Sequence, residues 1–373
     1  MYLPGPFAMR SNSLLPRAVL AIAITLSAAA LPACRRVRAP WKRHRAVSAQ
    51  VVRGRAHYAR YCALCHGRRA EGYAADHANA LGNRDFLAVA SDEFLRAAIT
   101  HGRPGTPMSA WGRSNGGPLE PKQVDDIVAF LRSLARRRPA TLDESPLNAD
   151  LNTALRVWND TCQTCHGERG QGTERATSLT HPNFLRTVTD GYLRETIRHG
   201  RRGTAMAAFD LPPAVIDGLI AHIRALSFAP PPPPEPRFAP PPSLDRLILN
   251  PAGRAPSFTL REGRYVPARD VLRALQENRR MVILDTRATS DWSRGHITGA
   301  LPFPFYNIEE MSNRLPRDGT WIIAYCACPH AASGHVVDEL RRRGFPRTAV
   351  LDEGITYWMN QRYPTSQAEI LQP

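Results

Sequence analysis

The pentapeptide Cys62-Ala-Leu-Cys65-His66 returns one hundred residues later as Cys162-Gln-Thr-Cys165-His166. Two cysteines three positions apart, followed at once by histidine, put two thiols and an imidazole on one turn of a helix. This is the arrangement that attaches haem c through thioethers and brings the histidine to the iron. Two such copies in register, in a chain with only seven cysteines, demand two compact units that each fold around a flat macrocycle. The other cysteines are Cys34, which stands alone, and Cys326 and Cys328 near the C-terminus, so no conventional disulfide framework can be assembled.

Aligned on the motif, the two halves match well beyond it. Phe86-Leu87 matches Phe184-Leu185, Phe94-Leu95-Arg96 matches Tyr192-Leu193-Arg194, and His101-Gly102-Arg103 leading to Met108 matches His199-Gly200-Arg201 leading to Met206. Helical segments lead into each motif from Val51 to Tyr61 and from Asn152 to Asp160. A closing helix is expected from Pro121 to Ala135, with Ile127, Leu131 and Leu134 at helical spacing, and its counterpart runs from Pro212-Pro213 to Leu226.

These residues resemble class I c-type cytochromes over about 51–140 and 150–228. The resemblance implies two all-α domains whose first and last helices cross, and two covalently bound haem c groups. Cys62, Cys65, Cys162 and Cys165 would form the thioethers, His66 and His166 the proximal iron ligands, and Met108 and Met206 the distal ones. A thioether ligand raises the reduction potential and fills the sixth position, which favours electron transfer over oxygen or peroxide chemistry at iron. His101 and His199 also repeat, offering a bis-histidine alternative, and ordinary core packing of the two methionines is another. Peroxidase activity would require the methionine to be displaced.

A proline-rich stretch over 229–243 (Pro230–Pro234, Pro236, Pro240–Pro242) is expected to be an extended, semi-rigid spacer. Over 244–373 the pattern changes. Apolar strands at 281–284, 321–325 and 348–351 alternate with helices at 334–343 and 354–361, which argues for a parallel α/β sheet. Asp285-Thr-Arg287, Asp291-Trp292, Gly295-His296-Ile297-Thr298-Gly299-Ala300, Tyr325-Cys326 and Leu351-Asp-Glu-Gly354 with Trp358 resemble a rhodanese-like domain over about 262–364. The resemblance implies that Cys326 is a nucleophile accepting sulfane sulfur from small sulfur anions, with Asp285, Arg287 and His330 as further catalytic candidates. Chemistry at the carboxyl end of a parallel strand, before a helix N-terminus, suits a thiolate or persulfide. The loop Cys326-Ala-Cys328-Pro-His330-Ala331-Ala-Ser333 departs from the common form by placing Ala331 where a cation often sits. That weakens phosphate chemistry and leaves His330 as the replacement anion contact. Cys328 is open to three roles: resolving a persulfide, forming a disulfide with Cys326, or joining Cys326, His330 and His335 around a metal. His296 is expected to be structural.

Residues 1–33 carry Arg10 and Arg17, no acid, and an apolar run from Ala18 to Ala33, the layout of a signal peptide. Leu31-Pro32-Ala33-Cys34 resembles a bacterial lipobox, with Cys34 the lipidation site, although Pro32 departs from the usual small residue. An ordinary signal or an uncleaved anchor is the alternative. Residues 34–50 form a basic tether whose arginines and lysines work against translocation. The net charge of +16 favours acidic redox partners, small anions and membrane surfaces, and no nucleic-acid-binding motif is present. The expectation is a multidomain protein of the bacterial periplasm or cell envelope: two all-α cytochrome c domains, then an α/β rhodanese-like domain with a parallel sheet. It would transfer electrons and couple sulfur handling to a respiratory chain. In the competing reading the C-terminal domain is an inactive docking module.

Overall fold

The computed structural model describes residues 48–75, 77–103, 106–135, 139–173, 175–226, 237–242, 247–327 and 330–371. Residues 1–47, on which the expected signal peptide, Cys34 and most of the expected tether fall, and Cys328 lie outside them.

The first module consists of α1 (Ala49–Tyr61), α2 (Ala63–His66), α3 (Arg84–Val89), α4 (Asp92–His101) and α5 (Pro121–Leu134). Side chains close the helix starts. Asn83 and Ser91 accept backbone N–H bonds at α3 and α4, while Glu120, Pro121 and Gln123 build a capping box at α5. The second module repeats the series as α6 (Leu151–Val157), α7 (Gln163–His166), α8 (Pro182–Leu185), α9 (Asp190–His199) and α10 (Pro213–Ala225), with a π-helical turn, Trp158–Cys162, joining α6 to α7.

The first and last helices of each module cross closely, and the two modules achieve this differently. A Cβ on Gly54 of α1 would lie 1.8 Å from the Asp126 carbonyl oxygen of α5, so only glycine admits that approach. The aligned residue in α6 is Ala154, fully buried, and the small residue has moved to Gly218 on α10, where a Cβ would meet that of Ala154 at 2.7 Å. Other contacts are kept. Arg132 of α5 reaches Asp92 (2.5 Å) and the carbonyls of Leu87 (2.6 Å) and Ala90; Arg224 of α10 reaches Asp190 (2.9 Å) and the carbonyls of Leu185 (2.6 Å) and Val188 (2.8 Å). These bonds satisfy carbonyls that the short α3 and α8 leave at their ends.

The remaining elements are β1 (Arg237–Phe238), β2 (Tyr265–Val266), α11 (Ala268–Gln276), β3 (Met281–Asp285), α12 (Thr289–Arg294), β4 (His296–Ile297), β5 (Leu301–Pro302), α13 (Ile308–Ser312), β6 (Trp321–Tyr325), α14 (Ala331–Arg342), β7 (Thr348–Leu351), α15 (Gly354–Asn360), β8 (Thr365–Ser366) and β9 (Ile370–Leu371). Five strands form a sheet in the order β2-β7-β6-β3-β5, every pair parallel. All five residues of β3 are buried because both faces are covered. Val282, Leu284 and Ile322 pack with Val336, Val337 and Leu340 of α14; Ile283, Ile323 and Ala349 pack with Val271 of α11 and with Ile355 and Trp358 of α15. β2 and β5, two residues each, are too short to show a pattern in sequence. Of the expected proline-rich spacer, residues 229–236 lie outside the described residues; further on, Arg237–Phe238 pair antiparallel with Ile370–Leu371. No described helix is long and apolar enough to cross a membrane.

Candidate functional site

In both modules the motif is held by one set of bonds. Tyr58, four residues before Cys62, donates its hydroxyl to the Gly67 carbonyl (2.8 Å), and Trp158, four before Cys162, donates Nε1–H to the Glu168 carbonyl (3.1 Å). Gly67 and Gly167 end the motif helices at φ of 80° and 83°, which a side chain would strain. His66 Nδ1 lies 2.8 Å from the Asn79 carbonyl, and His166 Nδ1 3.0 Å from that of Thr177. A carbonyl only accepts, so Nδ1 carries the proton and Nε2 keeps the lone pair that can bind iron. Burial lowers the pKa of both imidazoles and keeps them neutral, as ligation requires. Burial also pushes the Cys62 thiol up to about 12 and the Cys162 thiol up to about 11.

The methionine loops are near copies. Arg103 N–H donates to the Met108 carbonyl (2.8 Å) while the Thr106 hydroxyl bridges the turn; Arg201 N–H donates to the Met206 carbonyl (2.8 Å) with Thr204 in the same role. In the second module Cys162, His166 and Met206 line one pocket, walled otherwise by apolar residues such as Ile197 and Leu219. Met108 packs on the core that contains Cys62. The donor set, tautomers and apolar walls fit haem c. His101 and His199 are exposed, and His199 Nε2 lies 3.3 Å from the Glu195 carboxylate.

Cys326 follows β6 and is 3% exposed. Its Sγ lies 3.2 Å from the hydroxyl of Ser333, which is fully buried in the first turn of α14 and able to donate to a thiolate. Two expectations change. His330 takes a left-handed backbone (φ 90°), and its Nε2–H donates to the Asp352 carbonyl (2.9 Å), with the Asp352 carboxylate at 3.2 Å and the ring on Tyr265 (4.2 Å between centroids). That nitrogen is committed to Asp352 and does not replace the missing loop cation. Asp285 and Arg287 saturate each other: Arg287 donates to the carboxylate at 2.6 and 2.9 Å and to the Gly295 carbonyl, while Tyr325 donates its hydroxyl to Asp285 at 2.8 Å. Although burial disfavours its charge, Arg287 is held cationic by Asp285. This buried pair supports the sheet end, and among the described residues no hydrogen bond from either member reaches Cys326. His335 is exposed, and no group of three His, Cys, Asp or Glu residues suited to a metal occurs among the described residues. His296 stacks on Trp292 (4.2 Å, 9°) and donates Nδ1–H to its carbonyl, a structural role.

A junction that sequence reasoning missed lies between the first module and the sheet domain. Tyr61 and Trp111 pack on Tyr306 (5.0 and 5.8 Å), and Trp111 also meets Phe305 (6.3 Å). Ser290 donates to the Ala110 carbonyl (2.7 Å), Arg60 to Asn307 (2.7 Å) and Ser109 to Asp291. Leu64, between the two cysteines of the first motif, packs in one cluster with Cys326, Phe305, Ala331 and Ala332. The signals were an apolar residue at a variable motif position and an aromatic pair, Phe305-Tyr306, after an edge strand.

Crossed helices, motif histidines that carry their proton on Nδ1, and a parallel sheet ending in a buried cysteine define a c-type cytochrome of two modules joined to a rhodanese-like domain. The description "Cytochrome C oxidase, cbb3-type, subunit III" matches residues 49–131 and 149–223, and "Rhodanese-like domain" matches 268–361. The chain is 29% identical over 180 residues to the Cbb3-type cytochrome c oxidase subunit FixP of Azorhizobium caulinodans, covering 46% of this chain and 58% of that one. It is 27% identical over 198 residues to the Cbb3-type cytochrome c oxidase subunit CcoP of Azospirillum brasilense, covering 46% and 61%. The chain thus spans about three fifths of the length of these curated relatives. A rhodanese-related protein from Thermoplasma volcanium aligns at 23% identity over 28% of this chain and 97% of that one, with a TM-score of 0.25.

Proposed function

We propose that this protein is an exported electron carrier with two covalently bound haem c groups, in which sulfur bound at Cys326 is oxidised with the first cytochrome module as neighbouring electron acceptor. His66 with Met108 and His166 with Met206 are the axial pairs, and bound haem supplies reversible one-electron storage. The observation that carries the reading is the packing of Leu64, inside the first haem motif, against the small cluster formed by Cys326 and Ala332. Ser333 stabilises the thiolate, which attacks the outer sulfur of a donor such as thiosulfate, forming the S–S bond of a persulfide and releasing sulfite. Persulfide formation is redox-neutral, so the electrons come from a separate route in which the Cys326 thiolate couples with the outer sulfur of thiosulfate without loss of sulfite. This forms one S–S bond, as Cys–S–S–SO3⁻, and releases two electrons, a number that two haems can hold. The likeness to oxidase subunits supports a respiratory partner as the final acceptor, and the basic net charge supports an acidic docking face on it. Lipidation at Cys34 would keep the protein at the cell envelope.

The test is mass spectrometry of the Cys326 peptide after anaerobic exposure to thiosulfate or polysulfide, with visible spectra of the same samples. Added sulfur on Cys326 together with reduced haem bands, both lost in Cys326→Ser, supports the reading. Reduction that is unchanged in Cys326→Ser, or absent with every donor, leaves an electron carrier with an attached docking domain.

A further inference from the structure

The contact between the two cytochrome modules repeats itself in reverse. α3 and α4 meet α8 and α9 through Phe86, Phe94, Phe184 and Tyr192, with Phe94 lying 6.1 Å from Phe184 and 5.6 Å from Tyr192. Onto this cluster each module lays the arginine of its methionine loop. The Arg103 guanidinium sits 5.3 Å over Phe184 of the second module, and that of Arg201 sits 5.1 Å over Phe86 of the first. Side-chain clasps follow the same exchange: Asn183 donates to the Gly102 carbonyl (3.1 Å), and Asn83 donates to that of Arg202 (2.9 Å).

Arg202 has a counter-ion in Asp85, at 2.6 Å. Arg103 and Arg201 do not. Among the described residues neither pairs with a carboxylate; Arg201 reaches the Tyr192 hydroxyl, and its Nε is buried with no hydrogen-bond partner. The Arg103 charge is disfavoured by burial and by Arg201. Two partly buried guanidinium groups laid on one aromatic cluster, neither facing a carboxylate among the described residues, form an arrangement that a shared anion would stabilise. The backbone N–H of each arginine also holds the carbonyl of its module's methionine, Met108 or Met206, at 2.8 Å, which places both residues beside the haem pockets.

We propose that Arg103 and Arg201 form a single carboxylate-binding seat shared by both haem pockets, occupied by haem propionates, and that it couples the reduction potentials of the two haems. The proposal rests on haem in both modules, and requires nothing of Cys326. A positive charge beside iron disfavours the ferric state, so each arginine raises the potential of its own haem. Through the shared seat it also raises that of the other.

The test is a spectroelectrochemical titration of the haem-loaded protein, preceded by a haem count. Fewer than two haems removes the underlying reading; two haems allow the seat to be judged separately. Arg103→Gln is expected to lower the potential of the first haem most and the second measurably, Arg201→Gln the reverse, and the double variant to differ from the sum of the two. Arg103→Lys restores most of the shift. In the Gln variants the released carboxylate titrates near neutrality, and the potential falls as pH rises through that range. Wild type stays flat there, a measurement that needs no variant to fold. Unchanged potentials in correctly assembled variants, or a wild-type potential that falls across neutral pH, overturn the proposal. Wild-type potentials that move with added phosphate or chloride identify a free anion as the occupant and overturn the propionate assignment.

Discussion

Leu64→Ala tests whether the first haem motif covers Cys326. Leu64 is partly buried and packs against the cluster formed by Cys326 and Ala332, so truncation removes three carbons from the junction while preserving Cys-X-X-Cys-His. With about half of that apolar surface buried, the loss is about 1–1.5 kcal/mol of docking free energy, and 1.4 kcal/mol is a tenfold change in an equilibrium. Cys326 is 3% exposed, so a reagent reaches it from a separated state, and its modification rate follows the population of that state. Anaerobic alkylation with iodoacetamide, followed on the Cys326 peptide by mass spectrometry, should be about five- to tenfold faster in the variant, with haem loading unchanged. Leu226→Ala, at a partly buried position of the second module, serves as control and should leave the rate alone. Equal rates in wild type and Leu64→Ala, or equal acceleration by both variants, would refute the reasoning.

Gly54→Ala should cost about 3 kcal/mol or more through overpacking against the Asp126 carbonyl, whereas Ala154→Gly in the second module costs about 1 kcal/mol in helix propensity plus the lost methyl contact; denaturant midpoints separate them. Arg194→Ala strands Asp217 in a pair whose side chains are 3% and 11% exposed and should cost about 3–5 kcal/mol, while the aligned Arg96→Ala, in a pair about half exposed, should cost under about 1 kcal/mol. Hydrogen bonding to Arg53 holds the Asp126 carboxyl below its ordinary range. Its stabilisation is therefore present above the unfolded carboxyl pKa and lost as pH falls through the folded one. Because Arg53 is half exposed, Asp126→Asn should lower stability by no more than about 1 kcal/mol at neutral pH, and by nothing measurable at about pH 2; a constant difference across that range would contradict the assignment.

The motifs made the modules legible because thioether attachment tolerates little variation, and the closing helices α5 and α10 were legible from apolar spacing and their initial prolines. Strands β3, β6 and β7 were legible as continuous apolar runs. The exchange of the Gly54–Asp126 crossing for the Ala154–Gly218 crossing was hidden, because a small residue on either helix satisfies one crossing. Loop chemistry misled for a similar reason. His330 is the only imidazole within the Cys326 loop, yet a left-handed backbone turns it onto Asp352 and Tyr265, and the hydroxyl beside the sulfur belongs to Ser333. The junction residues Ser109, Ser290, Phe305 and Tyr306 follow no periodicity of their own. Their partners are distant in the chain, so only the folded arrangement brings them together.

The most direct measurement is stopped-flow anaerobic haem reduction by polysulfide in wild type, Cys326→Ser and Leu64→Ala, with absorbance resolved for each haem. The account predicts that the first haem is reduced before the second in wild type, that Cys326→Ser abolishes the fast phase, and that Leu64→Ala retains sulfur loading while slowing transfer. Equal, simultaneous reduction of both haems at a rate indifferent to Cys326 would contradict it.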